Sequence, residues 1–275
     1  MTPAAAPLSS LVEYLDRYLN IREVPDEAAA LNGLQVENSG RVSRIVAAVD
    51  ATQATIHGLG PAGSNATTIA SGRESASAPL LLVHHGLFWD GNQPVTGRRY
   101  RRLHALLERD AALYAAHIPL DVHQEVGNNA VLAHRLGLAA TAQFGNYKGV
   151  SLGLSGDAPA ATADRSALRT ALARVLTIPV EAIHLVPGGL PEIRRIGIIT
   201  GSAGGMMAQA REAGCDTFIT GEGSAHHFHD AVELGLNVFF AGHYATETLG
   251  VQALAEHLGE RFGLPWEFHD HPTGM

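Results

Sequence analysis

Apolar and polar positions along the chain switch between helical spacing and short continuous apolar runs. In LSSLVEYLDRYLN, Leu11, Leu15, Tyr18 and Leu19 recur at helical steps. Ser10, with Glu13 three residues on, reads as a capping box that opens this helix. After a turn at Asn32 and Gly33, RIVAAVDA (44–51) predicts a buried strand, and 53–60 predicts a helix. PLLLVHHG (79–86) is a second strand that stops at two histidines. A helix over 98–110 follows, then LYAAHIPLD (113–121), a third strand running into a histidine and an aspartate. Further on come a helix over 131–138, strand-like runs at 150–154 and 184–186, and a helix at 164–176.

The last part repeats the plan. RIGIITG (195–201), CDTFITGEG (215–223) and NVFFAGHYATE (237–247) read as strands, separated by helices over 204–213 and 225–234. The third enters a helix running to about 262, and WEFHDH (266–271) reads as a final strand. Side by side, YAAHIPLD aligns with FFAGHYATE, so His117 falls on His243 and Asp121 on Glu247. This pattern predicts an α/β fold of two similar βαβαβ-type halves, with mainly parallel sheets flanked by helices and a metal site between the halves. The expected lobes are 1–125, with 237–275 packing on it, and 126–236. Residues 61–79, PAGSNATTIASGRESASAP, have no periodicity and read as a surface loop.

Composition narrows the function. With 46% apolar and 17% charged residues, the chain is globular rather than disordered. A net charge of −8 leaves no global basic field to draw in nucleic acid. The run Arg98, Arg99, Arg101 and Arg102 is a local exception, read as a solvated helix start. The single cysteine, Cys215, excludes an intramolecular disulfide and a zinc-finger site, and reads as a buried inert thiol. MTPAAAPLSS lacks a basic segment followed by an apolar one, and no apolar run approaches the ~20 residues of a membrane span. A cytoplasmic protein without membrane contact is expected.

The 15 histidines matter through their placement. In open α/β sheets, ligands gather outside the C-terminal ends of strands. His84, His85, His117, Asp121, Thr220, Glu222, His243 and Glu247 all follow predicted strands. Imidazole and carboxylate together suit divalent ions. Adjacent histidines point in different directions, so each can serve a different ion, and a carboxylate can bridge two. GSAGG (201–205) reads as a tight turn, the histidines at 226, 227 and 229 as polar surface, and Phe88 and Trp89 as packing over the site.

NGLQVE (32–37), LLVHHGLFWDG (81–91), HIPLDVH (117–123), GNNAVLA (127–133), ITGEGS (219–224) and AGHYATETLGVQALAEHL (241–258) together resemble the GTP cyclohydrolase 1 type 2 family. Its members are described as dinuclear-metal-centre proteins that form hexameric rings. The resemblance spans nearly the whole chain. It implies five metal ligands, His84, His85, Asp121, His243 and Glu247, and two divalent ions per subunit, whether zinc, iron or manganese. It further implies a homohexamer. His117 and Glu222 are the candidate catalytic acid or base groups; the alternatives are support of a ligand or occasional ligation for His117, and orientation of a histidine or a solvated acidic residue for Glu222. The activity implied is a metal-dependent hydrolase acting on a nucleotide, opening the guanine ring of GTP. A phosphodiesterase or nuclease would need the same ligands, which leaves nucleic acid open as a substrate. A non-enzymatic metal-binding ring scaffold is the third reading.

Overall fold

The computed structural model describes residues 5–60 and 78–274, so most of the loop expected at 61–79 lies outside the described residues. The chain divides into two compact units. One is Met1–Leu120 with Val251–His271; the other is Asp121–Gly250 with Pro272–Met275.

The first unit is built on a five-stranded sheet in the order Trp266–Phe268, Arg44–Asp50, Pro79–His85, Ala112–Ala115, Gly33–Val36. The first three pairings are parallel and the last is antiparallel. The inner strands are continuous apolar runs because both of their faces are covered. On one face Val46, Ala48, Leu81, Val83, Leu113 and Ala115 pack with Ile56 and Leu59 and with Ala105 and Leu106. These bring in the helices Gln53–Gly58 and Gly97–Glu108. Tyr114 points the other way and donates to Asp16 Oδ1 at 2.9 Å, which places the helix Leu8–Tyr18 on the opposite face. Burial of each large apolar side chain in such layers contributes about 1.5–3 kcal/mol.

Two local expectations change. The Ser10/Glu13 box does not form, because the first helix starts at Leu8 with Pro7 as its cap and no side-chain capping bond. Pairing of Ala6–Pro7 with Arg41–Val42, and the bond from Leu8 N to Gly40 O, fix an earlier entry. Proline at that point suits a helix start, since its fixed φ is already helical. The strand expected over 113–121 ends at Ala115, and Ile118–Asp121 forms a single helical turn. Pro119 has no N–H to give a ladder, so the run cannot continue as an inner strand.

The second unit carries a six-stranded sheet in the order Ala139–Tyr147, Val150–Asp157, Arg195–Ile198, Thr217–Thr220, Asn237–Phe240, His184–Pro187. Its three middle strands, starting at Arg195, Thr217 and Asn237, run parallel to one another, whereas the outer pairings are antiparallel. The sheet is therefore mixed. The strand Ala139–Tyr147 is a hairpin partner that the sequence pattern does not announce. Its turn, Lys148–Gly149, has two positive φ values, the geometry that matches the twist of a hairpin.

Each sheet contains three successive parallel strands joined by helical crossovers: 44–50, 79–85 and 112–115 in the first unit, 195–198, 217–220 and 237–240 in the second. That is the architecture expected of the repeated pattern. The division of the chain differs from that expected at three stretches, since 121–125, 237–250 and 272–275 fall in the second unit rather than the first. Residues 237–250 belong to the second unit, because Asn237–Phe240 pairs with Thr217–Thr220. The changeover falls inside the long helix His243–Phe262, and the closing strand returns to the first sheet beside Arg44–Asp50. Among the described residues, no helix is long and apolar enough to cross a membrane.

Candidate metal centre

His84 and His85 are the last two residues of the strand Pro79–His85, and their rings converge at its end. His84 is fully buried, and its Nδ1 lies 2.9 Å from the carbonyl of Ala116. A carbonyl only accepts, so Nδ1 carries the proton and Nε2 is the basic nitrogen. His85 Nδ1 is 3.0 Å from Asp50 Oδ1, its register partner at the end of the neighbouring strand. His117 lies two residues beyond the strand Ala112–Ala115, with Nδ1 at 2.9 Å from Asp26 Oδ1.

Asp26 is itself fixed. Its carboxylate accepts from Asn32 Nδ2 at 2.7 Å and from the N–H of Ile118 at 3.0 Å. Burial works against its charge, but the bonds from His117 and Asn32 outweigh this and hold the carboxyl below its usual range. The rings of His84 and His117 are 4.9 Å apart and those of His84 and His85 4.8 Å apart. One nitrogen from each of the three rings lies within 4.8 Å of the others. Trp89 meets His117 edge-on at 4.8 Å. Gly86 follows the pair, and a Cβ there would overlap the side-chain amide of Gln35, which accepts from Leu87 N at 2.8 Å. The NGLQVE motif thus braces the turn after His85.

In the second unit His243 opens the helix His243–Phe262. Its Nδ1 lies 3.0 Å from Glu222 Oε1, and its Nε2 lies 3.1 Å from Glu247 Oε1, one helical turn away. Burial opposes a charged ring, but the bonds and charges of Glu247 and then Glu222 prevail and push the His243 pKa up to about 9. Glu247 is buried against Gly201, whose φ is +70° and where a Cβ would overlap Glu247 Oε1. Asp121 Oδ1 accepts from Asn128 Nδ2 at 2.8 Å, and the buried Asn128 also accepts from Gly250 N at 2.6 Å. Asn129 accepts from Thr200 N at 2.9 Å and donates to Leu152 O at 2.8 Å. These are the structural tasks of the GNNAVLA motif. Thr220 is buried and accepts from Ala203 N, stitching the GSAGG turn rather than facing a ligand.

A cleft of about 350 Å3 in this unit is lined by Glu222, His184, Phe228 and Phe240, among others. His184 and Phe240 stack at 6.2 Å. His226, His227 and Asp230 also form a compact donor group on the surface, where His227 Nδ1 accepts from Ser224 N at 2.9 Å. Cys215 is fully buried, and burial pushes its thiol up to about 11.

The structure thus gathers His84, His85 and His117 in one unit and Glu222, His243 and Glu247 in the other, with Asp121 anchored by Asn128. Sequence reasoning missed Asp26 and Asp50, the carboxylates that orient His117 and His85. Fold and side chains together define a class: a mixed α/β protein with imidazole and carboxylate groups clustered beyond the C-terminal ends of parallel strands. The chain belongs to the Duf34/NIF3 (NGG1p interacting factor 3) family, whose sequence profile matches residues 6–273.

Among its relatives is a Deinococcus radiodurans protein named GTP cyclohydrolase 1 type 2 homolog, 41% identical over 265 residues, 96% of this chain and 93% of the relative. A Pseudomonas aeruginosa protein of the same name is 42% identical over 273 residues, 98% of this chain and 99% of its own. The crystal structure of TTHA1606 from Thermus thermophilus is 40% identical with a TM-score of 0.81, covering 98% of this chain and 100% of that one. The protein ybgI, described as of unknown function, is 32% identical with a TM-score of 0.83 and the same coverage.

Proposed function

We propose that this chain is a metal-dependent hydrolase that holds two divalent ions through His84, His85, Asp121, His243 and Glu247, and that acts on a nucleotide. One observation carries the reading. His84, His85, His117 and His243 all have Nδ1 against an oxygen acceptor: Ala116 O, Asp50, Asp26 and Glu222. That arrangement fixes each ring and favours Nε2 as the donor, as the outer hydrogen bonds of metal-binding histidines do. Three imidazoles and two carboxylates form a set that fits zinc, iron or manganese. Bound there, such ions would supply activation of water and stabilisation of negative charge.

The remaining chemistry falls to the chain. Asp50 and Glu222 hold His85 and His243 in orientation. His117, with Nδ1 committed to Asp26, offers Nε2 as a proton acceptor or donor. Glu222 combines its hold on His243 with a place on the lining of the cleft, where it can exchange a proton with bound substrate. Phe228, Phe240 and His184 offer flat rings on which a planar base can stack, in a cleft of about 350 Å3. The relatives named GTP cyclohydrolase 1 type 2 homolog support GTP as the first nucleotide to try. The homohexameric ring and a cytoplasmic location belong to the same proposal.

The test is elemental analysis of protein purified without added metal, followed by a nucleotide hydrolysis screen against His84→Ala. About two ions per chain, and turnover that falls with chelator and with the variant, support the reading. Less than about half an ion per chain, unchanged by the variant, defeats it.

A further inference from the structure

The arginine run at 98–102 behaves only in part as a solvated helix start: Arg98 and Arg101 are exposed, whereas Arg99 is buried and Arg102 half-buried. The run lies in the first half of the helix Gly97–Glu108, whose first turn holds no acidic residue. Cations there oppose the helix dipole, so the sequence places them against local stability. Arg99 has a structural task. It is buried, binds Asp90 and the carbonyls of Gln93 and Gly91, and its guanidinium lies 5.4 Å from the centre of the Phe88 ring.

Arg98 and Arg102, one turn apart, line a pocket of about 220 Å3 together with His85, Asp50, Trp89 and Asp90. Arg102 is half-buried and has no hydrogen-bond or ion-pair partner among the described residues. Burial and the like charge of Arg98 lower its pKa, and Asp90 and Asp50 counter this only in part. Both carboxylates are engaged elsewhere. Asp90 is bound by Arg99, with Arg98 Nη2 at 3.5 Å, and Asp50 by His85 at 3.0 Å. With Arg99, which does not line the pocket, three guanidiniums share two carboxylates, and Arg102 is the one left without a carboxylate partner among the described residues.

We propose that Arg98 and Arg102 bind the phosphate of a nucleotide in this pocket. That the phosphate belongs to a nucleotide rests on the preceding reading; the guanidinium pair itself fits any phosphate. The planar fork of each guanidinium matches two phosphate oxygens, and the polar pocket leaves room for the group. Arg101 is exposed and does not line the pocket, which makes it the control for charge alone.

Calorimetric titration of the full chain, as purified, with GTP, guanosine and inorganic phosphate tests this. Arg102→Ala should weaken GTP on the order of tenfold, and Arg98→Ala/Arg102→Ala further. Guanosine affinity should be unchanged, Arg101→Ala should match wild type, and Arg102→Lys should recover part of the loss. Thermal melts of the variants, expected no lower than wild type, separate this from misfolding. The proposal is overturned if the double variant binds GTP within about twofold of wild type, a difference too small to signal a lost charged contact. It is equally overturned if wild type binds neither GTP nor phosphate, or if phosphate binding is lost in His84→Ala but untouched by the arginine variants. Absence of nucleotide turnover would count against the hydrolase alone, since the binding measurement needs no reaction.

Discussion

Glu222 Oε1 sits 3.0 Å from His243 Nδ1, on the far side of the ring from Glu247 at 3.1 Å. One imidazole is thereby clamped between two carboxylates, from the loop after one strand and from the helix after the next. Replacing Glu222 with Gln keeps the length of the side chain but removes its charge. We expect Glu222→Gln to lower metal affinity by roughly 10–100-fold while leaving the fold intact. Competition against a chromophoric chelator measures this, and an affinity equal to wild type would remove Glu222 from the site.

The same clamp sets a pH dependence for the metal-free chain. The His243 pKa is raised from 6.5 to about 9 in the folded state. Its contribution to stability is therefore complete below about pH 6.5 and lost as pH rises through about 9. Thermal melts of chelator-treated protein between those limits should fall, and Glu247→Gln should flatten the decline. A wild-type melt that stays level across that window contradicts the clamp.

Gly201 is where backbone and site meet. Its φ of +70° and the overlap any Cβ would make with Glu247 Oε1 act together. Gly201→Ala should cost about 1–2 kcal/mol from the left-handed backbone alone and displace the carboxylate as well. Chemical denaturation reads the first effect and metal content the second. A variant that keeps both would show that the turn yields without moving Glu247.

Cys215 should be silent. Its burial and a thiol pKa of about 11 predict negligible labelling by a disulfide reagent at pH 8 in the folded state. After denaturation one equivalent should react quickly. Rapid native labelling would mean that the second unit opens far more readily than its core suggests.

Much of this was legible because strands that end in chemistry leave a plain trace. PLLLVHHG stops at His84 and His85 because the apolar run is the covered strand and the histidines mark its exit. Asp50 left the same trace at the end of RIVAAVD, and the rule that selected the histidines selects it too. Its partnership with His85 required the register of two parallel strands, which no local pattern carries. Asp26 was harder. It reaches His117 from a loop 91 residues away, with no periodicity to flag it. The strand Ala139–Tyr147 was hidden by small and polar residues at a sheet edge, where only one neighbour must be matched. The capping box failed because pairing at Ala6–Pro7 outweighed a local signal worth about 1 kcal/mol.

The return of Trp266–Phe268 to the edge of the first sheet gives the chain a problem of timing. During synthesis the strand Arg44–Asp50 emerges early, with one edge paired to Pro79–His85 and the other unmet. Its partner is more than 200 residues away, roughly 10–40 s at ~5–20 residues per second. Throughout that interval Ile45, Val46 and Ala47 present a bare apolar ladder, the kind of edge that recruits stray strands. The first unit is thus the earlier to be made and the later to be finished. Its nascent form, rather than the completed molecule, is where this protein depends most on protection from aggregation.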